Sequence, residues 1–262
     1  MVEDFKHNGF PWLRFMNFFF VGAIRFSVLV LFLVSGCSKS EKSDTAQEVE
    51  NSKSVSDIEV LFIGNSHTYY NSGVPFHMGR FREQENLPYS PFIAESSFGG
   101  FSLTDHLSNA ATLEKINERE WEYIVLQENT FVAANDGQST LIALKSFKEL
   151  LSQKSTKIYL FMTWEYQGEP QMYEQIKKTY EDGAIEASAE IVRVGKVWRE
   201  IMQDSLPNID LYNGDGYHPG PQGTFLAAAM FYSKIYKKNP SDNPYKAGLE
   251  TEVADYLKLQ AN

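Results

Sequence analysis

Ser66 follows Gly64-Asn65 at the end of an apolar run, residues 58–63 (IEVLFI), whose β-branched composition reads as a buried strand. A serine hydroxyl is a weak nucleophile at neutral pH unless a base takes its proton. A chain that uses Ser66 chemically must therefore also supply an imidazole and a carboxylate to orient it. Five histidines are present. His218 stands out because it lies in Asn213-Gly214-Asp215-Gly216-Tyr217-His218-Pro219-Gly220, a glycine- and proline-rich loop ahead of a helical pattern, with Asp215 three residues before it. In a tight loop that spacing brings the carboxylate to the imidazole Nδ1–H and leaves Nε2 for the serine.

The other titratable residues read differently. His67 adjoins Ser66, but neighbouring side chains in an extended turn point apart, so a structural or substrate-contact role is expected of it. His77 falls on a helix as a surface or packing residue. His106 is expected to have a helix-surface or hydrogen-bonding role. There is no His-Glu-x-x-His and no cysteine pair, so neither a metal nor any other cofactor is called for. Glu128 and Glu165 could form a two-carboxylate glycosidase pair, but that reading leaves Ser66 and the Asp-x-x-His loop unexplained. Thr68 follows His67, so the Gly-x-Ser-x-Gly nucleophile elbow is absent. Trp164 and Tyr166 follow another apolar run, where aromatic faces could stack on a sugar ring; ordinary packing is the competing reading.

These groups need a scaffold that brings distant loops together. Beyond residues 58–63, apolar runs at 91–95 (weaker), 123–127 (YIVLQ), 157–162 (KIYLFM) and 191–194 read as strands. Helical patterns fall at about 75–86, where Pro75 takes a tolerated first-turn position, and at about 139–153, 171–187 and 223–237. Short apolar strands separated by helices predict βαβ crossovers, hence a three-layer α/β/α domain on about five parallel strands. In such sheets function gathers at the C-terminal strand ends. Gly64-Asn65-Ser66, residues 96–100, Glu128-Asn129 and Thr163-Trp164 all fall on that one edge.

Gly64-Asn65-Ser66, a glycine after the second strand, an asparagine after the third and Asp215-x-x-His218 near the C-terminus occur in the order that resembles the SGNH/GDSL hydrolase superfamily. The resemblance spans residues 58 to about 237 and implies a flavodoxin-like sheet. It implies a nucleophilic role for Ser66, with Asp215 and His218 completing a triad. It also implies an oxyanion hole from the Ser66 N–H, the Gly100 N–H and the Asn129 side chain. Gly100-Phe101-Ser102 fits the family's glycine-x-Ser/Thr pattern, with Gly99 as the alternative. The third block departs from the family: Leu126-Gln127-Glu128-Asn129 carries Gln127 where the family has glycine, and Gln127 could itself point an amide at the oxyanion.

The chain has 262 residues, 43% hydrophobic and 22% charged, an ordinary globular composition with room for one sizeable core. A net charge of −10 offers no basic footprint for nucleic acid. Cys37 is the single cysteine, so no intrachain disulfide forms. It follows an apolar stretch, residues 26–36 (FSVLVLFLVSG), preceded by Lys6, Arg14 and Arg25. That pattern resembles a bacterial lipobox and predicts a signal peptide over 1–36, with diacylation of Cys37 as a membrane anchor. Residues 37–57 read as a polar tether and 58–262 as the catalytic domain. The expectation is an exported lipoprotein of the cell envelope, at the outer membrane or cell surface. It would cleave small acyl esters, with an acetylated glycan as the leading substrate. A lipase, lysophospholipase or thioesterase on the same fold, and a non-catalytic glycan-binding lipoprotein, are the alternatives.

Overall fold

The computed structural model describes residues 58–85, 92–204, 206 and 208–262. Cys37, the signal peptide and the tether lie outside the described residues, as do Pro91 and Asn86, the expected outer ends of the second strand and first long helix. The chain runs β1 (Val60–Gly64), α1 (Ser66–Tyr69), α2 (Val74–Glu83), β2 (Ile93–Ser97), α3 (Leu103–Ser108), α4 (Ala110–Asn117) and β3 (Tyr123–Leu126). It continues with α5 (Thr130–Asn135), α6 (Gly137–Leu150), β4 (Lys157–Phe161), α7 (Met172–Ala187), β5 (Glu190–Val192), α8 (Val194–Gln203), α9 (Pro221–Tyr236) and α10 (Thr251–Gln260).

The five strands form one parallel sheet in the order β2-β1-β3-β4-β5. This is the doubly wound order: the chain runs from β1 out to β2, then crosses back over β1 to β3 on its other side. Side chains alternate across the sheet and build a core on each face. Val60, Phe62, Val125 and Phe161 pack with Phe81 of α2, Trp198 of α8, Phe225 and Phe231 of α9 and Leu257 of α10. Leu61, Ile63, Ile124, Leu126 and Leu160 pack on the other face with Leu103, Ile116, Phe147 and Ile176 of α3, α4, α6 and α7. Burying each such side chain contributes on the order of 1.5–3 kcal/mol, which is why the central strands are continuous apolar runs.

The expected three-layer α/β/α architecture and its five parallel strands are therefore present. Three local readings need correction. Val194 belongs not to β5 but to α8, which starts without a loop because Gly195 lies against the end of β4; a Cβ there would come within 1.9 Å of the Thr163 carbonyl oxygen. Ser66 and His67 open a one-turn helix rather than an extended turn. Helix α10 lies beyond the last expected helix and covers the α9 side of the core.

Candidate active site

Gly64 is required by its neighbours. A Cβ at that position would lie 2.5 Å from both Gln127 Oε1 and Thr68 Oγ1. Gln127 fills the space and accepts hydrogen bonds from the Asn65 N–H at 2.8 Å and the Thr68 hydroxyl at 3.0 Å. Asn65 is the knot of three loops. Its Oδ1 caps α1 through the His67 N–H, its Nδ2 donates to the Phe101 carbonyl at 2.9 Å, and its own N–H is the one held by Gln127. Below them, the buried His106 donates from Nε2 to the Gly64 carbonyl at 2.8 Å, while Nδ1 pairs with Thr112 Oγ1 at 2.8 Å. His106 is thus a buried hydrogen-bonding residue, and the surface reading of it is corrected.

On this support Ser66 Oγ lies 2.8 Å from His218 Nε2, and His218 Nδ1 lies 2.8 Å from Asp215 Oδ2. The three residues are 152 and three positions apart in sequence, respectively. Asp215 Oδ1 accepts the N–H groups of Tyr217 and His218, so the loop closes on its own carboxylate. Desolvation works against ionisation of Asp215, but these bonds and the one from the His218 ring outweigh it and hold the carboxyl down at about 2. An ionised Asp215 fixes the proton of His218 on Nδ1 and leaves Nε2 as the acceptor facing Ser66.

The histidine loop is anchored from both sides. Gln167 N–H donates to the Gly216 carbonyl at 2.7 Å, and Gly216 takes a φ of +76°, a conformation that favours glycine. Asn71 Nδ2 donates to the Pro219 carbonyl at 2.7 Å and to Thr224 Oγ1 at 2.9 Å. The Tyr70 ring stacks on His218 with centroids 4.1 Å apart and planes 6° apart. Tyr70 and Asn71 are absent from the sequence-based site; the Tyr69-Tyr70-Asn71 run just after Ser66 was the available signal.

A cleft of about 330 Å³ opens over Ser66, with Gly99, Gly100, Asn129, Tyr166, Tyr217 and His218 among its walls. Gly100 occupies the turn after β2 with φ +76°, and its carbonyl accepts from Asn129 Nδ2 at 2.9 Å. That bond uses one of the two amide hydrogens of Asn129. Among the described residues no hydrogen bond occupies the N–H of Ser66 or of Gly100. Ser66, Gly100 and Asn129, each with a donor hydrogen left over, all line the cleft. Gln127, the alternative to Asn129, is buried, spends its Nε2 on the Glu128 carbonyl and does not line the cleft.

Two buried residues, His67 in the cleft wall and Glu128 behind it, carry displaced titrations. His67 is buried against Trp164, and desolvation, reinforced by the charge of nearby His218, lowers it to about 3. It stays neutral and places no positive charge beside His218. Glu128 is fully buried and its Oε1 accepts the N–H groups of Leu103 and Asn129. Burial pushes its carboxyl up to about 7 against the pull of those bonds and of the Thr140 hydroxyl.

Trp164, expected as a possible sugar platform, is instead fully buried. It stacks on Trp198 at 3.7 Å and donates from Nε1 to the Tyr217 carbonyl, so packing and loop support account for it. Tyr166 does line the cleft. His77 packs between Tyr245 and the Asn71 carbonyl. Glu165 pairs with Arg199 at 2.5 Å and does not line the cleft over Ser66.

No protein-family model matches the chain, and no curated protein matches it. Solved structures do. A candidate SGNH hydrolase from Slackia heliotrinireducens superposes with a TM-score of 0.58 at 22% identity, over 68% of this chain and 98% of its own. A DUF4886 family protein from Bacteroides uniformis gives 0.63 at 18% identity, over 78% of this chain and 93% of its own. An acetylxylan esterase from Geobacillus stearothermophilus gives 0.51 at 15% identity, over 68% and 94%. At these identities the likeness establishes a shared fold: the chain has the five-stranded α/β/α fold of SGNH hydrolase structures.

Proposed function

We propose that the chain is a serine esterase acting through an acyl-enzyme, with Ser66, His218 and Asp215 as its triad. The observation that carries this reading is the continuous Ser66 Oγ–His218 Nε2 and His218 Nδ1–Asp215 Oδ2 line, each contact 2.8 Å. In the proposed reaction His218 Nε2 takes the Ser66 proton as Oγ bonds to the ester carbonyl carbon. The carbonyl π electrons move to oxygen, and the resulting oxyanion is met by the N–H of Ser66 and Gly100 and by Asn129 Nδ2. Collapse breaks the C–O bond to the alcohol, which leaves with the proton from His218. Water, deprotonated by the same histidine, then repeats the sequence on the acyl-serine and releases the acid.

The substrate proposed is an acetyl ester on a carbohydrate. A cleft walled by Tyr69, Tyr70, Tyr166 and Tyr217 supports it, because tyrosine offers a flat apolar face and a hydroxyl together. The acetylxylan esterase with the same fold is consistent with it. Export and anchoring through Cys37 belong to the proposal as well, on the lipobox-like sequence alone; loss of palmitate labelling in Cys37→Ser would support them. The central test is hydrolysis of p-nitrophenyl acetate, then of an ester series of rising acyl length, by wild type and Ser66→Ala. Equal rates for the two proteins would overturn the reading. A preference for long acyl chains would move it to a lipase or lysophospholipase.

A further inference from the structure

Tyr166 does not close the cleft over Ser66. It forms a wall shared with a second cleft of about 380 Å³, where Phe131, Asn135, Glu169, Gln171 and Gln175 are the other walls that matter. Only four aromatic side chains are exposed among the described residues: Tyr69, Phe76, Phe131 and Tyr217. Three of them border these two clefts, and Phe131 is the most exposed, at 59%. One exposed ring is ordinary, but three grouped on two clefts that share Tyr166 mark a surface built for contact.

Phe131 is held rigidly relative to the reaction centre. It sits in the first turn of α5, where its N–H donates to Asn129 Oδ1 at 3.0 Å. The same Asn129 lines the Ser66 cleft, and its amide nitrogen donates to the carbonyl of Gly100, another lining residue. One side chain therefore fixes both the proposed oxyanion donor and the ring two residues away. Asn135 Nδ2 donates to the Phe131 carbonyl at 2.9 Å, which leaves its Oδ1 as an acceptor. Gln171 pairs with Glu169, and Gln175 adds a further amide at the rim.

Ring faces bordered by amides suit a sugar, whose C–H faces stack on aromatics while its hydroxyls exchange hydrogen bonds with amide groups. An acyl chain would find Phe131, Ala134 and Met172, but it would also have to desolvate three side-chain amides and a carboxylate. The lining holds Glu169 and no cation, so an anionic polymer would be repelled. We propose that the second cleft is a subsite for a neutral sugar ring, the neighbour of the ring whose ester sits at Ser66, with Phe131 and Tyr166 as its stacking faces. This rests on the carbohydrate-esterase reading above.

The test compares the full-length wild-type chain with Phe131→Ala and Gln175→Ala. Each is assayed on p-nitrophenyl acetate and p-nitrophenyl decanoate, on O-acetylated monosaccharides and on O-acetylated neutral tetrasaccharides of xylose and of mannose. Wild type is expected to favour tetrasaccharide over monosaccharide through a lower KM. Phe131→Ala should lower the ratio of tetrasaccharide to p-nitrophenyl acetate kcat/KM about tenfold, and Gln175→Ala by a smaller factor in the same direction. Oligomers cleaved no better than monomers across the series, or an unchanged ratio in Phe131→Ala, would overturn the subsite. So would a Phe131→Ala defect confined to p-nitrophenyl decanoate. Failure of the underlying reading looks different: Ser66→Ala would then match wild type on every substrate.

Discussion

Glu128 Oε1 accepts the N–H of Asn129 at 2.6 Å and, from the other side, the N–H of Leu103 at 3.1 Å. One buried carboxylate thereby ties the loop that carries Asn129 to the helix that follows Gly100. Replacing it with alanine leaves two buried N–H groups unpaired, each costing about 1–3 kcal/mol, and frees the two loops to separate. Glu128→Ala is expected to lower kcat at least tenfold with KM little changed, whereas Glu128→Gln keeps an oxygen in place and most of the rate. Equal kcat in the two variants would dissociate Glu128 from the donors it holds.

The same residue makes a prediction about pH and stability. Its folded pKa of about 7 stands above the ordinary value of 4.5. A carboxyl raised on folding contributes stability that is complete below about 4.5 and lost as pH rises through about 7, a change of roughly 3 kcal/mol. Glu128→Gln cannot ionise, so it should gain on wild type between pH 5 and pH 8. Urea midpoints at several pH values would check this, and parallel profiles for the two proteins would refute it.

Gly64 and Gln127 should behave as a coupled pair. Gly64→Ala drives a methyl into Gln127 Oε1 and Thr68 Oγ1, and Gln127→Ala strips the partner from the Asn65 N–H. Each change alone is expected to cost about 1–3 kcal/mol. Together they should cost less than the sum by about 1 kcal/mol, since removing Gln127 relieves half the clash. Thermal unfolding of the four proteins measures the coupling directly, and strict additivity would be the contrary result.

The sheet is legible in the sequence because its three central strands are short apolar runs buried on both faces, and Tyr123–Leu126 and Lys157–Phe161 fall within two residues of their expected bounds. Helices α3 and α5 are not legible, being six residues each and held by side-chain caps from Ser102 and Asn129 rather than by a long apolar stripe. Asp215 and His218 are readable as a pair because their contact is local. Gln127 and Asn65 meet across 62 positions, and Glu128 and Leu103 across 25. Pairings of that kind follow from which strands become neighbours, so the support of the site emerges only once the sheet order is known.

Asp215 offers a test of the triad that leaves its shape intact. Asp215→Asn retains an oxygen for the Tyr217 and His218 N–H groups but removes the charge that keeps the His218 proton on Nδ1. The expected effect is a fall in kcat of about 10³–10⁴-fold. The wild-type carboxyl, depressed to about 2, contributes its stability above the unfolded value of about 3.8 and loses it only as pH falls through about 2. Activity should therefore show no acid limb from Asp215 at pH 4 or above. Near-wild-type turnover in Asp215→Asn would remove it from the triad.

Asn129 serves two ends of its side chain, and they can be separated. Oδ1 caps α5 by accepting from Phe131 and Val132, while Nδ2 donates to the Gly100 carbonyl, and the residue lines the Ser66 cleft. Asn129→Ala removes both functions, with a cap loss of about 1 kcal/mol and a loss of about 3 kcal/mol in transition-state stabilisation. Asn129→Asp keeps an acceptor for the cap yet turns the donor into an acceptor facing both the Gly100 carbonyl and the developing oxyanion. It should melt closer to wild type than Asn129→Ala and still lose at least a hundredfold in kcat. If stability and kcat instead fell in step across the two variants, Asn129 would act on α5 alone and the oxyanion role would pass to the two main-chain donors.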